Sequence, residues 1–222
     1  MTRELIFDTE TTGFDPMTGD RLIEIGLVEM VDRSLTGSNY HAYVNPERDV
    51  PESAFKIHGL STEFLKDKPV FSEVMDEFLE YVGSDSVLVA HNAEFDMRFI
   101  NWELENAGKP ILHTKRFIDT LAIARTKFPG AANSLDALCK RFGVNNTHRT
   151  LHGALLDAEI LADVYIELLG GRQTGLDLAV EKSAAPMGPK KERPKRTFPV
   201  SDEELSAHQD FVKTLKDPIW LN

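Results

Sequence analysis

The sequence contains a single cysteine, Cys139, among its 222 residues. One thiol cannot form an internal disulfide and cannot supply a cysteine-rich zinc site. Because Cys139 falls in a segment with helical spacing, we expect a buried structural thiol rather than a nucleophile. The sequence therefore excludes a disulfide framework and a zinc site built from cysteines.

Long apolar runs are also absent, since no segment approaches the roughly 20 residues that a helix needs to span a bilayer. The first four residues lead directly into a predicted strand, without the layout of a signal peptide. We therefore expect a cytoplasmic protein with no membrane partner.

The chain has few positive charges, with 25 Lys and Arg against 36 Asp and Glu and a net charge of −11. Proteins that bind nucleic acid normally gain affinity from basic side chains that neutralise phosphates. If the substrate is a nucleic acid, its phosphates must meet bound divalent cations, and a partner protein must help to hold the enzyme on it.

The order of apolar segments predicts an α/β fold. Three early strands with short connections, at residues 4–8, 21–31 and 40–44, favour an antiparallel meander. Strands at 87–90 and 117–118 then alternate with helices at 71–82, 94–107, 121–128, 134–142 and 151–169. We therefore predict a mixed sheet that is flanked by helices.

The composition changes beyond Gly171, where residues 182–196 have almost no large apolar side chains and favour a flexible tail. Acidic and basic residues are equally numerous from position 173 onward, so the predicted folded part carries the whole negative charge. A capping pattern at residues 201–204 precedes a short apolar stripe that ends near Trp220. This stripe is typical of a peptide that folds on a partner, although it could also pack back on its own domain.

Two carboxylates, Asp8 and Glu10, lie at the end of the first predicted strand. The alternation of a strand sends both side chains to one face, where like charges repel unless a cation lies between them. Asp96 lies in the first turn of the helix that follows strand 87–90. It is a further candidate ligand, or it only stabilises the helix dipole.

His152 and Asp157 form the third part of the candidate site. Their spacing puts them about 140° apart around a helix, so they flank one site only if His152 lies at the helix start or on a loop leading into it. The alternative is a histidine that faces solvent. Four carboxylates on separate elements can hold two divalent cations, and oxygen ligands favour Mg²⁺ or Mn²⁺ over zinc.

Five segments resemble the DEDDh exonuclease family and, within it, the proofreading subunits of bacterial replicative DNA polymerases. They are residues 7–13 (FDTETTG), 56–60 (KIHGL), 91–96 (HNAEFD), 133–139 (NSLDALC) and 150–158 (TLHGALLDA). The resemblance covers about residues 3–171 and implies a ribonuclease H-like fold. It implies a 3′→5′ exonuclease that releases nucleoside 5′-monophosphates from a single-stranded or frayed DNA 3′ end.

The resemblance also implies a role for each site residue. Asp8, Glu10, Asp96 and Asp157 would hold two divalent cations, Mg²⁺ or Mn²⁺, and His152 would be the general base. Asp8, Glu10 and Asp157 would also contact the substrate. His58 would lie beside the terminal nucleotide, or be only a turn residue before Gly59. Ser53 lies where the family contacts the same nucleotide, but the family often has an acidic residue at this position, which leaves the role of Ser53 open.

The resemblance further divides the chain into an exonuclease domain (1–172), a sliding-clamp-binding motif (173–178), a flexible linker (179–199) and a polymerase-binding segment (200–222). Gln173, Leu176 and Leu178 resemble a short clamp-binding peptide, or they form a frayed helix end. Trp220 would contact the polymerase catalytic (alpha) subunit, at the replisome of a bacterial nucleoid. Such tethers would raise the effective concentration of the domain at the primer end.

Two other functions stay open at this point. A stand-alone DEDDh exoribonuclease would share the core motifs but would not need the tail. A catalytically inactive scaffold would need neither the four carboxylates nor His152.

Overall fold

The structure, a computed structural model, describes residues 2–149, 151–171 and 199–216. The chain divides into two units, residues 1–177 and 178–222. The first unit has five strands: β1 (Arg3–Thr11), β2 (Leu22–Val31), β3 (Ser34–Tyr43), β4 (Val87–Ala90) and β5 (Phe117–Asp119). They form one sheet in the order β3-β2-β1-β4-β5.

The sheet is mixed, as predicted. Strands β1, β2 and β3 form an antiparallel meander, whereas β4 pairs parallel to β1 and β5 pairs parallel to β4. The carboxyl ends of β1, β4 and β5 therefore lie at the same edge, where sites of open α/β sheets usually form. The mixed sheet and its covering helices confirm the expected fold class.

Seven helices complete the described part of the first unit. They are α1 (Glu52–His58), α2 (Thr62–Leu65), α3 (Phe71–Val82), α4 (Ala93–Asn106), α5 (Thr120–Lys127), α6 (Leu135–Phe142) and α7 (Ala154–Leu168). Short 3₁₀ helices lie at Pro16–Thr18 and Thr114–Arg116. Among these helices, none is long and apolar enough to cross a bilayer.

Both faces of the sheet are buried by helices. On one face Phe7 of β1 packs with Phe78 of α3 and Phe99 of α4. On the other face Ile6, the neighbour of Phe7 in the strand, packs with Leu161 and Tyr165 of α7. Because successive side chains of a strand point to opposite faces, the even-numbered positions of β1 face α7.

Three expected boundaries were wrong. Strand β1 continues to Thr11 because its residues beyond Asp8 keep pairing with β2. Strand β3 begins at Ser34 rather than at residue 40, since its polar first half still pairs with β2. Helix α7 begins at Ala154, not at residue 151, and Leu151 is exposed rather than part of its apolar face. Helices α1 and α2 were not predicted.

The second unit contains one described helix, α8 (Asp202–Thr214). The Ser201 hydroxyl accepts from the Glu204 amide and the Glu204 carboxylate accepts from the Ser201 amide, which is the expected capping box. Residues 172–198 and 217–222 lie outside the described residues, so the predicted domain boundaries stay predictions.

Candidate active site

Asp8 and Glu10 lie on the α7 face of β1, where the strand extends past β4. The pairing between β1 and β4 ends at Ile6, so both carboxylates lie beyond the last parallel pair. On the other side they stay in register with Gly26 and Glu24 of β2. The strand therefore projects two acidic side chains from the carboxyl edge of the sheet, as the period of two predicts.

Gly26 allows α7 to approach these carboxylates. A Cβ atom at this position would lie 2.2 Å from the Leu155 nitrogen and 2.4 Å from the Ala154 carbonyl carbon. The first turn of α7 therefore rests directly on the β2 backbone opposite Asp8. This contact brings Asp157, buried in the first turn of α7, to the same edge as Asp8.

His152 lies in the segment that leads into α7, which is the condition that its spacing from Asp157 demanded. The His152 amide donates to the Ile57 carbonyl at the end of α1, and the Leu151 side chain lies close to Gly59. These contacts hold the imidazole at the site, with Nδ1 3.5 Å from Asp157 Oδ2. About half of the His152 side chain remains exposed.

Asp96 reaches the site from the opposite face of the sheet. It lies in the first turn of α4, and its Oδ1 accepts a hydrogen bond of 2.7 Å from the Thr9 hydroxyl. Thr9 lies on the α4 face of β1, so this hydrogen bond ties Asp96 to the strand that carries Asp8 and Glu10 on its other face. This buried carboxylate is therefore anchored as well as placed at a helix start.

Asp119 fixes the start of α4. Its carboxylate accepts from the amides of Asn92 and Leu121, both at 2.9 Å. Asn92 adopts the left-handed conformation with φ of 73° in the turn between β4 and α4. Asp119 thus ties this turn to the first turn of α5, and it positions the helix that carries Asp96.

The carboxylate cluster has strongly perturbed acidities. Burial, followed by repulsion from Asp96 and Glu10, raises the pKa of Asp8 well above its usual range. Burial, followed by repulsion from Glu24, raises the pKa of Glu10 to about 8. Burial raises the pKa of Asp96 to about 7, although the Thr9 hydroxyl opposes the shift. Burial is thus the largest cause of all three shifts, and an imbalance of negative over positive charge adds to those of Asp8 and Glu10.

Glu24 contributes to this imbalance, and the sequence analysis did not identify it. It is a buried carboxylate directly opposite Glu10 in the β1–β2 register. Its Oε1 lies 2.7 Å from His41 Nε2 on β3, so the histidine orients it from behind the site.

The donor set fits a divalent cation. Ligand atoms of Glu10, His152 and Asp157 lie within 4.8 Å of one another. Carboxylate oxygens dominate the cluster, which suits Mg²⁺ or Mn²⁺ better than a soft metal. Burial raises the pKa values of Asp8 and Glu10, repulsion from neighbouring carboxylates adds to both shifts, and a bound cation would offset that repulsion.

One basic side chain enters the cluster. Only 8% of the Arg149 side chain is exposed, and its guanidinium binds both oxygens of Asp157, Nε to Oδ1 at 2.5 Å and Nη2 to Oδ2 at 2.6 Å. The same Nη2 lies 3.0 Å from Nδ1 of His152, and Nη1 lies 2.9 Å from Oδ1 of Asp136. Arg149 lies three residues before His152 and was not among the residues predicted from the sequence.

A cavity of about 150 Å³ opens beside Glu10. Ser53 and His58 both line it, together with Phe95. His58 is buried, and its Nδ1 accepts from the Leu60 amide at 3.0 Å. Its Nε2 is buried with no partner among the described residues. The structure thus brings the two predicted nucleotide-binding residues to the cavity that adjoins the carboxylates.

A second cavity of about 220 Å³ is lined by Asp8, His152 and Asp157, with Arg149 and His91 on its walls. The four carboxylates and His152 therefore meet at one edge of the sheet. The expected tail residues Gln173, Leu176, Leu178 and Trp220 lie outside the described residues.

Comparison with known proteins agrees with this geometry. The profile of the family described as Exonuclease matches residues 5–165. DNA polymerase III subunit epsilon of Rickettsia felis is 49% identical over 223 residues, which cover 96% of each chain. DNA polymerase III subunit epsilon of Escherichia coli K12 is 50% identical over 188 residues, which cover 82% of this chain and 76% of that one.

The chain belongs to the epsilon-subunit family of DNA polymerase III exonucleases. This membership confirms the expected enzyme class, a 3′→5′ DNA exonuclease that proofreads, and DEDDh nucleases of this family generally use divalent metal ions. Membership in a family of exonucleases also favours an enzyme over a catalytically inactive scaffold.

Solved structures agree on the fold. Exonuclease X in complex with 5′ overhanging duplex DNA is 30% identical, with a TM-score of 0.59 over 77% of this chain and 92% of that one. The nuclease domain of 3′hExo, a DEDDh family member bound to rAMP, is 16% identical with a TM-score of 0.64, over 76% of this chain and 91% of that one. The latter likeness supports the ribonuclease H-like fold.

Proposed function

We propose that this epsilon-family exonuclease removes mismatched nucleotides from a DNA 3′ end by hydrolysis with two divalent cations, Mg²⁺ or Mn²⁺. Asp8, Glu10, Asp96 and Asp157 hold the cations, and His152 is the general base. The proposal rests on the convergence of ligand atoms from Glu10 on β1 and from His152 and Asp157 at the start of α7, which all lie within 4.8 Å of one another.

The position of each carboxylate determines which cation we assign it to. Asp8 is central, since its charge interacts with those of Glu10, Asp96 and Asp157, and we assign it to both cations. Glu10 and Asp157, which lie near His152, would hold one cation, and Asp96 would support the other through its anchored carboxylate. When bound, such cations activate a water for attack and stabilise the charge on the departing 3′ oxygen.

His152 accepts the proton of the attacking water. In the structure its Nδ1 faces Asp157 and lies against a donor-only guanidinium, so the ring is neutral with its proton on Nε2. Burial, and then the charge of Arg149, lowers the pKa of His152. A base that is neutral near pH 7 can take a proton, which supports this role.

The cavity beside Glu10 is proposed to receive the 3′-terminal nucleoside. His58 offers an unpaired buried Nε2–H there, and Phe95 offers an aromatic ring on which a base can stack. Ser53 contributes a hydroxyl in place of the acidic residue that is common in the family. Only an unpaired end can enter, so a frayed mismatched terminus is selected without reading base edges.

The tail is proposed to connect the exonuclease to its partners. Residues 173–178 would bind the sliding clamp, and residues 200–222 the polymerase catalytic (alpha) subunit, through a linker at 179–199. Exposed apolar side chains on and just after α8, Leu205, Phe211 and Leu215, support a docking role. The relatives are named as subunits of DNA polymerase III, which further supports a cytoplasmic site of action at replicating DNA.

The test is release of mononucleotides from a 3′-mismatched DNA primer–template and from RNA of matched length, with Mg²⁺ and with EDTA. We expect Mg²⁺-dependent release of deoxynucleoside 5′-monophosphates that is faster at the mismatch. His152→Ala should lower kcat by about 10²–10⁴-fold. The control is His148→Ala, an exposed histidine of the same loop. Rapid RNA digestion with little action on DNA would instead identify an exoribonuclease.

A further inference from the structure

Arg149 contacts two of the three residues whose ligand atoms lie within 4.8 Å of one another, Asp157 and His152. Its guanidinium takes both oxygens of Asp157 in a bidentate pair, and its Nη2 lies against the Nδ1 lone pair of His152. Bidentate arginine–carboxylate pairs are among the strongest hydrogen-bonded contacts in proteins. Glu10 is the third residue of this group, and one of its carboxylate oxygens lies within 4.8 Å of the ligand atoms of Asp157 and His152.

The guanidinium of Arg149 lies beside Asp157, where a metal cation ligated by this carboxylate would also have to lie. The charge of Arg149 opposes the pKa increases of Asp8 and Glu10, so it partly compensates the repulsion among the carboxylates. A divalent cation ligated by Asp157 would lie within a few ångströms of this charge. Two cations so close in a buried site repel strongly, and both need the same oxygens. Arg149 and the cation therefore exclude each other.

The structure also offers the guanidinium a second acceptor. Nη1 of Arg149 binds Oδ1 of Asp136, whose side chain is 62% exposed on the first turn of α6. Asn146 of the same loop donates to this oxygen as well. A guanidinium released from Asp157 can therefore stay paired at Asp136, at the edge of the cluster rather than within it.

We propose that Arg149 is an internal cation that the metal must displace: it holds Asp157 and His152 together in the metal-free enzyme and sets the affinity of the site for divalent cations. This inference rests on the proposed function, since it takes Asp157 as a metal ligand. Displacement frees Asp157 for the cation and frees Nδ1 of His152 for the water proton in the same step. Arg149 is thus a positioning residue that keeps the proton acceptor masked until metal is bound.

The first test measures Mn²⁺ binding to the full chain by isothermal titration calorimetry. Hydrogen bonds to charged groups contribute about 1.5–3 kcal/mol, so Arg149→Gln should bind Mn²⁺ about 10- to 150-fold more tightly than the wild type. Arg149→Lys keeps the charge but loses the fork, and should lie between them. Unchanged or weaker binding by Arg149→Gln would overturn the proposal, because it would make Arg149 a permanent support for Asp157.

Arg116→Gln is the matched control. It makes the same change in charge and also removes a guanidinium with three hydrogen bonds, at the other end of β5. It should leave Mn²⁺ affinity unchanged. With EDTA, the unfolding midpoint of Arg149→Gln should fall and Mn²⁺ should restore it, which separates loss of the internal cation from misfolding.

A second test observes the displacement itself. In ¹⁵N-labelled protein, the Nε–H resonance that is missing in Arg149→Lys reports the guanidinium. It should shift or broaden in proportion to Mg²⁺ occupancy, and an unchanged resonance at Mg²⁺ saturation would contradict the proposal. If neither the wild type nor Arg149→Gln binds metal, the proposed function fails as well. If the wild type binds metal and Arg149→Gln binds equally, only this inference fails.

Discussion

Gly26 of β2 lies directly opposite Asp8 of β1, and the backbone of Leu155 rests where a side chain at Gly26 would begin. The approach of Asp157 on α7 to Asp8 on the strand therefore depends on the absence of a Cβ atom at Gly26. An isolated glycine in a strand often marks such a close approach of another backbone. This contact explains why a buried Asp157 at the start of α7 reaches the cluster on β1.

Gly26→Ala should therefore damage the site more than the fold. Its Cβ would lie 2.2 Å from the Leu155 nitrogen, so α7 must shift by about an ångström to accommodate it. Overpacking of this kind costs about 1–3 kcal/mol, and a displacement of about 1 Å can lower kcat by about a hundredfold. Thermal unfolding and steady-state exonuclease assays measure the two effects separately.

Gly153→Ala is the control for this substitution. It changes a glycine at the same junction, but its Cβ would meet no atom within 4 Å and its φ of −156° suits any residue. We expect activity within about threefold of the wild type, since replacing a glycine at a helix N-cap changes stability by only about 1 kcal/mol. Equal activities of the two variants would show that the approach of α7 does not limit catalysis.

Thr9→Val tests the hydrogen bond that ties Asp96 to strand β1. Valine keeps the shape of threonine but removes the hydroxyl that donates to Asp96 Oδ1 at 2.7 Å. An unpaired buried acceptor costs about 1–3 kcal/mol, and a carboxylate without this anchor should hold its cation less well. We expect weaker Mn²⁺ binding by calorimetry and a lower kcat at subsaturating metal.

Thr126→Val provides the matched control, because its hydroxyl donates only to the Ala122 carbonyl on an exposed turn of α5. It should bind Mn²⁺ like the wild type. Metal affinity that is unaltered in Thr9→Val would show that Asp96 needs no anchor from β1.

The pH dependence of stability should differ between the metal-free and metal-loaded forms. The pKa of Glu10 is raised from 4.5 to about 8, and that of Asp96 from 3.8 to about 7. The folded state therefore binds more protons than the unfolded state between these values, so the stability that these groups contribute is complete below about pH 4. It is lost as the pH rises through 7 and 8.

We accordingly expect the gain in unfolding midpoint on adding Mn²⁺ to grow between pH 5.5 and pH 8.5, by about 5 °C or more. Glu10→Gln removes one of the titrating carboxylates and should flatten this dependence while raising the metal-free midpoint at pH 8.5. A gain that is constant with pH would show that the carboxylates are already ionised in the metal-free protein.

The sequence predicted the elements that have a strong period. The helix at residues 71–82 and the strand at 87–90 agree with α3 and β4 at both ends, because apolar spacing and flanking turn residues mark them. Helices α1 and α2 are short and mostly exposed, so they have no apolar stripe to reveal them. The start of α7 was placed three residues early because Leu151 continues the apolar pattern although it lies outside the helix.

The residues of the site likewise fall into those that a local sequence pattern marks and those that it does not. Asp8 and Glu10 were placed on one face by the period of a strand. The angle between His152 and Asp157 showed only that His152 must lie at the helix start or on a loop leading into it, and the predicted helix at 151–169 still contained His152. Contacts between distant segments leave no local pattern, so neither the pairing of Glu24 with Glu10 nor the contact of Arg149 with Asp157 could be read from spacing. Gly26 did carry a signal, as a lone glycine in an apolar strand.

We propose above all that the cluster around Asp8 hydrolyses the 3′-terminal phosphodiester of DNA. The most direct measurement is single-turnover release of deoxynucleoside 5′-monophosphate from a 3′-mismatched primer, by the wild type, Asp8→Asn and Asp85→Asn. Asp85 is an exposed aspartate just before β4, at the other end of the sheet. We predict Mg²⁺-dependent release of the monophosphate by the wild type, which Asp8→Asn should abolish and Asp85→Asn should preserve. Release by Asp8→Asn at the wild-type rate would place the chemistry elsewhere in the chain.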